Sequence, residues 1–158
     1  MMQSNTNKEV KQKLEFYCAY QERCHNEVIQ KLRTMAIDSV TIDEVVVHLI
    51  QNNFLNEERF ACAFARGKNR IKHWGKARII NELKLRNISQ YNILTALKEI
   101  DTEEYLEAFH VLSENHWLSI SEKNSIKKKK KFCDFLLRKG YESNLIYDKL
   151  KVLEKESN

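Results

Sequence analysis

The chain has 158 residues, no proline, only three glycines and four cysteines, with a formal net charge of +5 and a pI of about 9.0. So few turn-forming residues exclude a β-rich domain, and 42% hydrophobic residues suffice for a folded core, so we predict an all-α fold. The cysteine spacing fits no common zinc pattern, and the chain has neither a signal-peptide core nor an apolar run of roughly 20 residues; we predict a reduced cytoplasmic protein without a membrane span.

The first third of the chain predicts a polar start followed by three helices. Residues 1–11 are rich in Asn, Gln, Ser and Lys, which predicts a flexible N-terminal tail. Apolar residues at helical spacing begin at Leu14, and the pattern predicts a second helix from about Asn26 to Met35. A third helix is expected to start at the capping residue Thr41 and to end near Asn52.

The middle of the chain predicts two amphipathic helices with a basic outer surface. Asn56 can cap the first, and Glu57 and Glu58 fall in its first turn, where the helix dipole favours negative charge. The pair Trp74–Gly75 interrupts the helical spacing before the second helix. We expect Trp74 to be a core anchor between the two helices rather than a platform for base stacking.

The last part of the chain predicts four further helices. One is capped by Ser89, and the next begins at Asp101 with acidic residues in its first turn. A third is predicted over 127–139, with Gly140 at its C-terminal end, and a final helix follows. The polar stretch 113–125 has no assigned element. The two apolar residues expected to anchor it are Trp117 and Leu118.

These predicted elements repeat along the chain. Leu32, Leu83 and Leu136 align at offsets of 51 and 53 residues, and neighbouring apolar positions align with them. Periods of this length are typical of stacked helical arrays. We therefore predict three tandem three-helix repeats after the N-terminal tail, over residues 12–55, 56–101 and 102–158.

A motif in the second repeat resembles a known family. Leu55, Glu57, Glu58, Arg59, Phe60 and Ala61 form one run, and Gly75, Arg78, Ile79, Glu82 and Leu83 follow in order after a basic stretch. This combination resembles the central signature of the RecX family of bacterial recombination regulators. The resemblance implies tandem three-helix repeats in an elongated, curved array.

The resemblance also implies a function. It implies a regulator, not an enzyme, that binds the RecA filament on single-stranded DNA and inhibits or modulates homologous recombination, DNA repair and the SOS response. Lying along the filament groove, such a protein would block duplex entry and strand exchange. We expect a cytoplasmic monomer that needs no cofactor, has no membrane partner and binds free DNA weakly.

Basic side chains are the candidate binding residues for RecA or nucleic acid. Arg66, Arg70 and His73 are expected to share one helix face, opposite the apolar stripe. Five consecutive lysines, 127–131, cover every face of a helix, so they fit a phosphate contact and a solvated helix start equally well. The full candidate set is Arg59, Arg66, Lys68, Arg70, Lys72, Lys76, Arg78, Lys84, Arg86, Lys127, Lys128, Lys129, Lys130 and Lys131.

The same sequence supports other functions less well. The five histidines are scattered, and the chain has no Gly-rich phosphate loop, so we predict no catalytic residues and no metal site. Basic three-helix units also resemble helix-turn-helix modules, so a protein that binds DNA directly is the alternative. A purely structural helical adaptor would bind neither DNA nor RecA.

Overall fold

This computed structural model describes residues 2–157, with side chains for residues 7–157, and all regular elements in that range are α-helices. The predicted all-α fold is confirmed. None of the described helices is both long and apolar enough to cross a lipid bilayer. The helices are α1 Met2–Tyr20, α2 His25–Thr34, α3 Ser39–Gln51, α4 Glu57–Arg70, α5 Lys76–Leu85, α6 Gln90–Leu97, α7 Thr102–Ser119, α8 Ser125–Lys139 and α9 Ser143–Ser157.

The nine described helices form three successive triplets, α1–α3, α4–α6 and α7–α9. In each of the most extensive helix–helix contacts, the two helices belong to the same triplet. One hydrophobic core belongs to the first triplet, and a second runs through the other two. The accessible surface is 10361 Å², against about 8300 Å² for a compact monomer of this mass. The excess fits a helical-repeat array that is elongated rather than round.

The second helix of every triplet ends in the same way. The residue that follows the last turn has a left-handed backbone, and the next amide donates a hydrogen bond to the carbonyl of the aligned leucine. The left-handed residues are Ala36 (φ 58°), Asn87 (φ 58°) and Gly140 (φ 98°). The bonds join Ile37 to Leu32 at 3.2 Å, Ile88 to Leu83 at 3.1 Å and Tyr141 to Leu136 at 3.1 Å. All three leucines are fully buried, so the alignment of the three repeats holds at the level of individual hydrogen bonds.

The first triplet begins earlier than the sequence predicted. Residues 2–11, expected to belong to a flexible tail, are part of α1, and Val10 is buried in the first core. Residue 1 lies outside the described residues. Helix α3 also starts before the expected cap at Thr41, because Asp38 occupies the N-cap position.

The polar stretch 113–125 is mostly an extension of α7. Helix α7 continues to Ser119, and Ser113 and Trp117 face the core. Trp117 is therefore an anchor, as predicted. Leu118 is not, because the helical register turns it outward and leaves it 81% exposed.

The second and third triplets meet through their backbones. The amide of Gly75 donates to the carbonyl of Lys139 at 2.7 Å, and the amide of Ala77 donates to the carbonyl of Gly140 at 2.9 Å. The end of α8 thus faces the start of α5. Carbonyls and amides that lack intrahelical partners at these two helix ends satisfy one another.

Candidate functional site

The structure divides the predicted basic residues into two groups. Six of them form an ion pair with a carboxylate: Arg59, Arg66, Arg70, Arg86, Lys129 and Lys131. Within residues 7–157, whose side chains are described, eight form none: Lys68, Lys72, Lys76, Arg78, Lys84, Lys127, Lys128 and Lys130. The second group carries charge that is available to a partner.

The predicted face of Arg66, Arg70 and His73 is not a free basic surface. Arg66 lies 3.4 Å from Glu99, and Arg70 lies 3.9 Å from Glu104, so carboxylates near the start of α7 offset both charges. His73 is not part of the helix, because α4 ends at Arg70 and His73 sits in the following turn with a left-handed backbone, but it lines the same surface depression as Glu104. Such exposed ion pairs are weak and leave the arginines mobile, but the surface is nearly neutral.

Arg59 is a structural residue at the junction of the first two triplets. Its Nε donates to Glu22 at 2.6 Å, and its terminal nitrogens donate to Asn53 and to the carbonyl of Phe54. Four of its five N–H groups are therefore used within the chain. This leaves Arg59 little capacity to bind a partner.

Arg86 is also held within the chain. Its Nη1 lies 2.9 Å from the Glu82 carboxylate, and its guanidinium lies 4.8 Å from the centre of the Phe64 ring. The pair with Glu82 spans one helical turn of α5. Such pairs contribute a few tenths of a kcal/mol and neutralise the local charge.

Two cations lie over Trp74 where the second and third triplets meet, and Lys139 binds the backbone carbonyl of Lys72, two residues before Trp74. The ring of Trp74 is half-buried and packs edge-on against Phe64, with ring centres 6.1 Å apart. The Arg78 guanidinium lies 4.1 Å from its centre, and the Lys68 ammonium 5.0 Å. We call Lys68, Lys72, Trp74, Arg78 and Lys139 the junction cluster. Trp74 is thus both an anchor, as the sequence predicted, and a support for two cations.

The third triplet fixes the position of the junction cluster. Arg78 donates from Nη1 to the carbonyl of Arg138 at 3.2 Å, and Lys139 donates from Nζ to the carbonyl of Lys72 at 3.0 Å. These bonds go to neutral carbonyls, so the positive charges are not cancelled. Cations held over an aromatic ring are pre-organised, and together they can bind phosphate or carboxylate groups.

Lys76 and Lys84 flank the junction cluster on α5. The backbone amide of Lys76 donates to the Tyr105 hydroxyl at 3.0 Å, and its ammonium lies 4.9 Å from the centre of the Tyr105 ring. The same hydroxyl donates to Glu142. Burial and this bond to Glu142 raise the pKa of Tyr105, so it stays protonated. Lys84 is exposed on α5.

The five lysines at the start of α8 point in different directions around the helix, so their side chains have different surroundings. Lys128 lies over the Trp117 ring at 4.0 Å, while Lys129 pairs with Glu154 and Lys131 pairs with Glu122. Lys127 and Lys130 are exposed. The run therefore offers three unpaired charges rather than five.

The candidate binding residues predicted from the sequence do not include Lys139. The sequence did identify the neighbouring Gly140 as the end of a helix. A basic residue in the last turn before a helix end was the one feature that could have drawn attention to Lys139. Lys72, whose carbonyl it binds, is 67 positions away in the chain. Periodicity alone does not encode that contact.

The described part of the chain offers no arrangement for metal or thiol chemistry. No three His, Cys, Asp or Glu side chains among the described residues are grouped to hold a metal ion. The cysteines are unpaired thiols, and burial raises the pKa of Cys18 and Cys24 to about 11. Both thiols therefore remain protonated near neutral pH, which makes them poor nucleophiles.

The repeat and the junction cluster together define a helical-repeat protein with a positively charged, partly aromatic surface between its second and third triplets. Two family models match the chain: the second three-helix domain of RecX over residues 56–97 and the third three-helix domain of RecX over residues 103–150. The chain belongs to the RecX family, a family of regulatory proteins and not of enzymes.

Known relatives agree with this assignment. The chain is 26% identical over 142 residues to the regulatory protein RecX of Bacillus cytotoxicus and 27% identical to that of Bacillus cereus; the match covers 90% of this chain and 53% of each relative. The chain thus spans about half the length of these curated relatives. The RecX crystal structure from Lactobacillus salivarius superposes with a TM-score of 0.79 at 23% identity, covering 96% of this chain and 98% of that one. A second RecX structure gives a TM-score of 0.82 at 17% identity, covering 95% and 75%.

Proposed function

We propose that this chain binds the RecA filament on single-stranded DNA and inhibits or modulates homologous recombination and DNA repair, as a cytoplasmic monomer in the SOS response. Family membership supports the regulatory role. The observation that carries the binding proposal is the junction cluster, in which Lys68, Arg78 and Lys139 are held in position but not neutralised. We also propose the three triplets as the repeating units, over residues 12–55, 56–101 and 102–158, with the first extended backwards through α1.

The mechanism that we propose is occupancy of the filament groove. A filament presents the same protomer surface and the same DNA backbone at regular intervals, and a repeat protein can contact several of these at once. Contacts linked in one rigid chain combine into an affinity well above that of each contact alone. While bound, the chain would block entry of the duplex and so prevent strand exchange.

The junction cluster and the unpaired lysines of α8 are the proposed contact surface. Lysine and arginine side chains there would meet DNA phosphates or RecA carboxylates. If phosphates are contacted, counterion release makes the binding constant fall as salt rises. The proposed residues are Lys68, Lys72, Lys76, Arg78, Lys84, Lys127, Lys128, Lys130 and Lys139; Arg59, Arg66, Arg70, Arg86, Lys129 and Lys131 have partners within the chain and make smaller contributions.

Two double variants of α4 and the turn after it provide a matched test. Lys68→Glu with Lys72→Glu alters the junction cluster, whereas Arg66→Glu with Arg70→Glu makes the same charge change on the opposite side of the helix. We expect the lysine variant to weaken filament binding about tenfold and to reduce the salt slope by about two. The arginine variant should have a much smaller effect. Binding is measured by pull-down on RecA with and without single-stranded DNA and a non-hydrolysable nucleotide, and function by inhibition of strand exchange.

Equal losses from the two variants would show that net charge, and not the junction cluster, determines binding. Unchanged inhibition by the lysine variant would remove the junction cluster from the proposal. Circular dichroism of both variants controls for folding. A wild-type chain that does not bind the filament but selects among duplex sequences at physiological salt would support the helix-turn-helix alternative instead.

A further inference from the structure

Helix α1 has a second face that is not used by the core of the first triplet. Its inner face buries Val10, Leu14 and Cys18. Its outer face carries Phe16 and Tyr20, one turn apart, and they are 74% and 76% exposed. Two large aromatic side chains so close together and so exposed form an apolar patch, which on a protein surface marks an interaction site.

This outer face and α2 form a groove of about 810 Å³. Phe16 and Tyr20 lie along the α1 side, with Tyr17 between them, and Met35, which directly follows α2, lies across from them. The face extends from Glu9 to Tyr20, a length of about 16 Å at the rise of an α-helix. The groove therefore has the length of about three helical turns.

The polar rim of the groove is mostly basic. Lys13, Arg23 and Lys31 line it together with one acid, Glu9; Arg23 is paired with Glu27 at 3.8 Å, so among the described residues Lys13 and Lys31 supply the unpaired positive charge of the rim. The Arg23 guanidinium lies 3.7 Å from the centre of the Tyr17 ring and donates to the Tyr17 carbonyl at 3.1 Å, which holds it at the edge of the groove. Lys31 approaches the same ring at 5.6 Å.

We propose that this groove binds an acidic amphipathic helix of another protein. The apolar floor would take aliphatic side chains at i, i+3 and i+7 spacing, and the basic rim would pair with flanking Asp or Glu. A helix fits better than single-stranded nucleic acid, because Arg23 already covers one face of Tyr17 and because Met35 gives an aliphatic floor on which bases cannot stack. The site lies in the first triplet and does not depend on the proposed role of the junction cluster.

Fluorescence anisotropy with designed peptides tests this proposal on the full chain. The probe is a labelled peptide of about four helical turns, with leucines on one face and glutamates beside them. A scrambled peptide of the same composition, the same peptide with lysine in place of glutamate, and an oligothymidylate are the comparisons. Among the three peptides, we expect saturable binding of the acidic amphipathic one only, and we expect oligothymidylate, which can bind at the junction cluster, not to displace it.

Variants locate the binding to the groove. Phe16→Ala with Tyr20→Ala should weaken binding about tenfold or more, as expected for exposed aromatic anchors. The control is Tyr91→Ala, which removes an aromatic residue that is also 74% exposed but lies on α6; it should not change binding. Lys13→Glu with Lys31→Glu should reverse the preference in favour of the lysine peptide.

Three outcomes would overturn the proposal. They are no saturable binding of the acidic peptide, equal binding of the scrambled peptide, and unchanged affinity in the Phe16/Tyr20 variant. Displacement of the peptide by the oligothymidylate would assign the groove to nucleic acid and would also reject a helical partner. Because RecA is absent from these measurements, their failure would leave the proposed function untouched.

Discussion

The amide nitrogen of Gly75 lies 2.7 Å from the carbonyl oxygen of Lys139, so the turn before α5 is bonded directly to the last turn of α8. Helix C-termini carry partial negative charge and N-termini partial positive charge, and here the two ends meet. A Cβ atom built on Gly75 would overlap the backbone of Gly140 and Tyr141. The close approach therefore requires a glycine at position 75, and it also places Lys139 in the junction cluster.

Gly75→Ala should destabilise the protein and open this junction. The added methyl group can be accommodated only if the two backbones move apart, and overpacking of this kind costs about 1–3 kcal/mol. Urea denaturation measures the loss, and hydrogen exchange should show faster exchange at the amides of Gly75 and Ala77. The variant should also bind the RecA filament more weakly, because Lys139 is displaced from Lys72.

Gly67→Ala is the matched control for this substitution. Gly67 lies inside α4, and no atom comes within 4 Å of a Cβ built there. Alanine is the better helix former by about 1 kcal/mol, so this variant should be slightly more stable than the wild type. A Gly75→Ala protein as stable as Gly67→Ala would contradict the packing described for the junction.

The sequence was sufficient to predict the fold class, most of the helices and their repeat. The aligned leucines Leu32, Leu83 and Leu136 are all buried and all accept the same capping hydrogen bond. Helical periodicity is a relation between residues three or four positions apart, and buried apolar faces enforce it locally. For this reason the fold class and most helix positions follow from the sequence.

The partners of the charged residues did not follow from the sequence. Arg66 pairs with Glu99 and Arg59 with Glu22, across more than thirty positions each. Such pairs depend on how helices from different parts of the chain pack, which a local pattern does not contain. The start of α1 was missed for a related reason. A polar segment gives little helical periodicity, and the burial of Val10 in the first core depends on contacts with other helices.

Ala36 has a left-handed backbone at a position where the third repeat has glycine. Its φ is 58°, and the residue is exposed just after the end of α2. The left-handed conformation costs an L-residue with a Cβ about 1–2 kcal/mol. Ala36→Gly should therefore stabilise the protein by about 0.5–1 kcal/mol, after allowance for the greater freedom of glycine in the unfolded chain. The midpoint of urea denaturation gives the change.

Two further glycine substitutions test the reason for this gain. Asn87→Gly, at the aligned position of the second repeat, should gain less, because asparagine tolerates the left-handed region. Ala108→Gly, in the middle of α7, should instead lose about 1 kcal/mol. If Ala36→Gly destabilises the protein as much as Ala108→Gly does, the backbone at Ala36 is not left-handed in solution.

His116 makes stability depend on pH through its position against the core. Its ring stacks on Phe135 with ring centres 3.8 Å apart, and its Nε2 atom is buried without a hydrogen-bond partner among the described residues. Burial is the largest effect on His116 and lowers its pKa below the usual value; a hydrogen bond with the Lys131 backbone acts against this shift, and the nearby charge of Arg138 adds to it. The unfolded chain therefore takes up a proton at a higher pH than the folded chain does.

As pH falls below about 6.5, this difference should reduce the free energy of unfolding, because the unfolded state then binds more protons than the folded state. His116→Phe keeps an aromatic ring on Phe135 but cannot be protonated, so its stability should decline less steeply between about pH 6.5 and 5. Above about pH 7.5 the ring is neutral in both states, and the wild-type and variant curves should run parallel. Urea denaturation at a series of pH values measures both regions. Curves that stay parallel down to pH 5 would mean that folding does not hinder protonation of His116, and that its ring is not buried against Phe135 in solution.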